Sequence, residues 1–120
     1  MDSFFSSLVN QLTNATNTIP INILDTATTI VIYAEMAGVR RETIRVEPIR
    51  DILKISGTKI NRFSTSSYNE IKHGHLVREI RLPLHVTKED TVKIDSYEDG
   101  LLKIVIDKPQ ETPVAIVLKL

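Results

Sequence analysis

Cysteine is missing from this 120-residue chain, which excludes disulfide frameworks and thiolate metal sites and fits a reducing compartment. Aromatic residues are scarce, at 5%, so a core drawn from the 42% of hydrophobic residues must be built mainly from Ile, Val and Leu. β-Branched side chains pack well on a pleated surface, and this composition leans towards strands. Net charge is absent too: fifteen basic and fifteen acidic residues cancel. A chain so balanced carries no electrostatic footprint for nucleic acid or anionic membrane, and it resists self-association only weakly. No apolar run approaches membrane-spanning length, and no basic segment followed by an apolar one opens the chain, so a cytoplasmic protein is expected. Glycine-rich phosphate loops and nucleophile motifs are lacking, so neither enzymatic activity nor a cofactor is expected. The sequon Asn14-Ala15-Thr16 is of a kind that recurs by chance.

What is present divides into three zones, residues 1–19, 20–108 and 109–120, within one domain's worth of chain. The first is rich in Asn, Thr and Ser, yet Phe4, Phe5, Leu8, Val9 and Leu12 recur at helical spacing. A helix this short needs a partner surface to be stable. The second zone reads as consecutive strands. Thr29 to Met36 is nearly continuous in apolar residues, as for a strand packed on both sides. Ile44/Val46, Leu53/Ile55, Leu76 to Leu82, Val92/Ile94 and Leu102/Ile104/Ile106 alternate. Turn signals fall at Ala37-Gly38, Pro48, His73-Gly74, Pro83 and Asp99-Gly100. Short strands without intervening helical patterns predict an antiparallel β-sandwich. Asn61 to Ile71, with Ser64-Thr65-Ser66-Ser67, interrupts the rhythm as a polar loop long enough to have a role of its own. In the third zone a proline-flanked linker, Pro109 to Pro113, precedes Val114, Ile116, Leu118 and Leu120, which share one face of an extended segment.

Six segments, in order, resemble the small heat-shock protein family. Pro20-Ile21-Asn22-Ile23 is similar to its first domain strand, and Ala34-Glu35-Met36-Ala37-Gly38-Val39 to its Ala-Gly-Val turn. Leu53-Lys54-Ile55-Ser56-Gly57 resembles its Leu-x-Ile-x-Gly strand. Leu76-Val77-Arg78-Glu79-Ile80-Arg81-Leu82-Pro83 resembles Phe-x-Arg-x-Phe-x-Leu-Pro with aliphatics for both aromatics. Tyr97 to Ile104 resembles the Asn-Gly-Val-Leu-x-Ile hairpin, and Ile116-Val117-Leu118 or Val114-Ala115-Ile116 the terminal Ile-x-Ile/Val anchor. The resemblance implies an immunoglobulin-like alpha-crystallin sandwich over residues 20–108, with a short flexible N-terminal arm and a C-terminal extension. It implies an ATP-independent holdase that binds unfolding proteins, keeps them from aggregating, and assembles from dimers into homo-oligomers.

The same resemblance assigns roles to residues. Val114, Ile116 and Leu118 are expected to anchor the tail in a groove of a neighbouring dimer lined by Ile44, Val46, Val92 and Ile94; the alternative is a tail folded back on its own domain. The linker reaches roughly 17 Å when extended. Tyr68, Glu70 and Ile71 are expected in a strand exchanged with the partner subunit, against a plain hairpin extension. Arg78 falls in register with Leu76, Ile80 and Leu82. Either a bulge or an edge position lets it snorkel to water, or it pairs across the dimer interface, as its counterpart in the family does. Phe4, Phe5, Leu8 and Leu12 are expected to contact clients. His73 and His75 would share a strand face, but spacing supplies no third ligand, and no metal site is expected. The competing readings are a monomeric co-chaperone or adaptor on the same sandwich, and an unrelated structural β-sandwich module.

Overall fold

The computed structural model describes residues 19–82 and 91–108. Seven strands appear there: β1 (Ile21–Asp25), β2 (Thr29–Glu35), β3 (Arg45–Ile49), β4 (Ile52–Lys59), β5 (Gly74–Arg81), β6 (Val92–Glu98) and β7 (Leu101–Asp107). A single 3-10 turn, Arg41–Thr43, leads into β3. The strands form two antiparallel sheets, one ordered β1-β2-β7-β6 and the other β3-β4-β5. This is the antiparallel sandwich that the alternating pattern predicts.

The core lies between the layers. Ile30, Ile32 and Ala34 of β2 and Leu102, Ile104 and Ile106 of β7 form one cluster with Leu53, Ile55, Leu76 and Ile80 of the second sheet. In β2 the continuous apolar run does not mean burial on both faces. Ile30, Ile32 and Ala34 are buried, whereas Val31 and Tyr33 are half-buried on the outer face. A two-layer sandwich has no third layer for that face to meet. Ile19, assigned to the arm by composition, is fully buried in the core cluster.

The hairpins show which turn signals are turns. Asp99 and Gly100 both have positive φ, 53° and 76°, and join β6 to β7 in two residues, as the twist of paired strands requires. A Cβ on Gly100 would lie 2.8 Å from the Ala37 Cα, so glycine is required there for space as well as conformation. Pro48, expected at a turn, instead sits inside β3 opposite Leu53, and the reversal falls at Arg50-Asp51. β3 is an edge strand, and an edge tolerates a residue with no N–H to give. Between β4 and β5, residues 60–73 form no strand and are exposed.

Candidate functional site

Where the sheets meet along one side, β3 and β6 are both edge strands and are not hydrogen-bonded to each other. The gap between them is a groove of about 560 Å³ lined by Val46, Glu47, Pro48, Val92 and Ile94. Ile94 is 51% exposed, unusual for an isoleucine paired in register with the fully buried Ile104. The β6–β7 register shifts between Ile94 and Ser96, which re-aims the strand beside the groove. Three of the four groove residues read from the sequence therefore come together. Ile44 does not: it packs against the core, near Gly57, and the β3 wall is made instead with Glu47 and Pro48. Pro48 was hidden from sequence reasoning by its reading as a turn.

One end of the groove is braced by polar contacts. The Tyr97 hydroxyl on β6 lies 2.7 Å from the Met36 carbonyl and 2.9 Å from that of Val39, and its one proton serves both. Arg41 Nη2 donates to the Tyr97 carbonyl at 2.9 Å, and its guanidinium stacks 5.6 Å from the Tyr97 ring. The 3-10 turn that leads into the β3 wall is thereby tied to the strand that forms the β6 wall.

Arg78 shares the inward face of β5, as its register with Leu76 and Ile80 requires. It does not escape through a bulge, since the β4–β5 ladder runs without a shift. It is 8% exposed, and its Nη1 donates to the Ile19 carbonyl at 3.0 Å. Burial lowers its pKa from the ordinary value. The sequence carried no sign that Ile19, outside any strand, would be its partner.

Tyr68, Glu70 and Ile71 lie in the exposed 60–73 segment and make no strand within the chain; Tyr68 is 79% exposed. Phe4, Phe5, Leu8, Leu12, Val114, Ile116 and Leu118 fall outside the described residues. His73 and His75 are exposed, and the described residues hold no group of three potential metal ligands. Among the described residues no helix is long and apolar enough to cross a membrane.

Two edge-flanked antiparallel sheets with a groove between β3 and β6 define the alpha-crystallin class of sandwich, and solved structures of that class superpose on the chain. Heat shock protein 16.0 of Schizosaccharomyces pombe matches with a TM-score of 0.73 at 20% identity, over 97% of this chain and 88% of the other. The hspA protein of Xanthomonas axonopodis matches at 0.67 and 26% identity, over 78% and 96%. Among curated proteins, the 17.8 kDa class I heat shock protein of Arabidopsis thaliana is 32% identical over 112 residues, covering 89% of this chain and 70% of that one. The chain belongs to the Hsp20/alpha crystallin family, whose model matches residues 22–117. Family and fold together support a chaperone role.

Proposed function

We propose that this chain is a cytoplasmic, ATP-independent holdase that assembles from dimers into exchanging homo-oligomers. The observation that carries the reading is the open groove: Val46, Pro48, Val92 and Ile94, with Glu47 beside them, line a slot between two strand edges that are not paired with each other, with Ile94 half in solvent. In this reading Ile116, with Val114 or Leu118, fills the groove of a neighbouring dimer. Burying two such side chains supplies roughly 3–6 kcal/mol before ordering costs. One contact of that size is weak, and many in one assembly give strong avidity. Tyr68, Glu70 and Ile71 add a strand to the partner subunit. Arg78 supports that interface from within, through its hold on Ile19.

Heating shifts the population towards smaller species and exposes the groove and the arm residues Phe4, Phe5, Leu8 and Leu12. Unfolding proteins present apolar segments, and capture of those segments keeps aggregation-prone species apart. No step uses a cofactor. The test is light scattering from a heat-labile client with and without this chain, in buffer free of ATP. Suppression near stoichiometric ratios is expected. Absence of suppression across the chain's folded range would overturn the holdase and leave a single-partner adaptor.

A further inference from the structure

The contacts that Lys108, just past β7, makes with other described residues fall on one flank. Its backbone N–H donates to the Thr28 carbonyl at 2.8 Å, and its ammonium group both donates to the Thr26 carbonyl and pairs with the Asp25 carboxylate. All three partners belong to the end of β1 and the turn into β2. That turn is itself preorganised. Thr26 Oγ1 accepts from the Thr29 N–H at 2.9 Å and that of Thr28 at 3.3 Å, and the Thr26 N–H donates to the Thr29 carbonyl at 2.8 Å. The Asp25 and Lys108 side chains are only 14% and 27% exposed, against 55% and 64% for the surface pair Arg40–Glu42.

The position matters because of sheet order. In β1-β2-β7-β6, the β1–β2 turn lies on one flank of β7, and β6, the groove wall, lies on the other. One residue earlier the chain still touches the β6 side, where the Asp107 N–H donates to the Thr91 carbonyl at 3.0 Å. At Lys108 the N–H faces the β2 flank, as the next residue of a central strand does, and the ammonium group is fastened on that same flank. Val92, at the near end of the groove, pairs with Ile106, so the chain leaves the sandwich close to its own groove, with the Lys108 side chain held on the far flank of β7. The segment that follows is Pro109 to Pro113 and then Val114, Ile116 and Leu118.

We infer that Asp25 and Lys108 are positioning residues for the tail: the clamp launches it away from its own β3–β6 groove, favouring docking on another copy of this chain over self-docking. This rests on the tail-in-groove reading and adds the direction of docking to it. A released Lys108 lets the linker turn back over β6, and the tail then satisfies its own groove and caps assembly.

The 120-residue chain has no cysteine, so the test can be made on all of it with one engineered pair. In the double variant Ile94→Cys/Ile116→Cys, mild oxidation reports on each docking event, and a non-reducing gel separates interchain from intrachain disulfides. With the clamp intact, interchain species are expected to predominate. Adding Lys108→Met or Asp25→Asn is expected to raise the intrachain share several-fold and lower the native mass, and Lys108→Arg is expected to keep the parent ratio. Asp25→Asn leaves the fold's main-chain contacts in place should Lys108→Met fail to fold. An unchanged partition in both clamp variants, with disulfides still forming, overturns the steering and leaves groove docking intact. Absence of any disulfide in the parent pair sinks docking and steering together.

Discussion

Arg78 Nη1 donates to the main-chain carbonyl of Ile19 at 3.0 Å, across 59 residues of sequence and in the interior of the sandwich. The bond joins β5 to the point where the chain enters the domain. A buried carbonyl that loses its donor is costly, and a hydrogen bond from a charged group is worth about 1.5–3 kcal/mol.

Arg78→Ala is therefore expected to destabilise the folded subunit by about 2–4 kcal/mol, the lost bond adding to a cavity lined by Ile19 and its neighbours. The check is urea unfolding at several protein concentrations. A fall in midpoint that is the same at every concentration places the loss within the subunit. A midpoint unchanged at low concentration, with a weaker dimer, would place Arg78 wholly at the interface.

Tyr97→Phe removes the hydroxyl shared by the Met36 and Val39 carbonyls while keeping the ring under Arg41. A loss of about 1–2 kcal/mol is expected, since the Val39 carbonyl loses this donor and the Met36 carbonyl keeps only the Val39 N–H, at 3.1 Å. Arg41→Met, which keeps the hydroxyl bonds, should cost less. Equal stability of Tyr97→Phe and the parent in urea would show that water replaces the brace.

Gly100→Ala meets two obstacles at once: φ of 76° and a Cβ 2.8 Å from the Ala37 Cα, which is backbone and cannot swing aside. Destabilisation of more than about 1 kcal/mol is expected, against a slight gain had the site been relaxed. Thermal unfolding of the single variant suffices as the measurement.

How much of this was legible beforehand follows from the range of the physics involved. The paired strands wrote themselves into the sequence through period-two alternation, as in Leu76-Val77-Arg78-Glu79-Ile80, and Asp99-Gly100 announced its hairpin, because both signals are local. Pro48 misled because proline marks turns and tolerated edges alike, and only sheet order tells them apart. Val46, Val92 and Ile94 were readable from the family resemblance, but the wall that Glu47 and Pro48 share with them is not written in either strand alone. The Arg78–Ile19 bond and the Lys108–Thr26 bond of the clamp, the latter spanning 82 residues, use main-chain acceptors, to which sequence gives no name.

The groove supplies the remaining prediction. Ile94 is half in solvent and lies on an edge strand, so Ile94→Asp costs little transfer energy in the free subunit. In an occupied groove the same carboxylate must be desolvated without a partner, which costs several kcal/mol unless the charge is neutralised. Ile94→Asp is thus expected to leave the urea midpoint of the subunit nearly unchanged while lowering the native mass by size-exclusion with light scattering. Val92→Asp, half-buried and packed against the core, should lower both. The contrast matters more than either result: a uniform loss of stability in the two variants would mean that β6 is merely structural here, and an intact assembly in Ile94→Asp would leave the groove without an occupant.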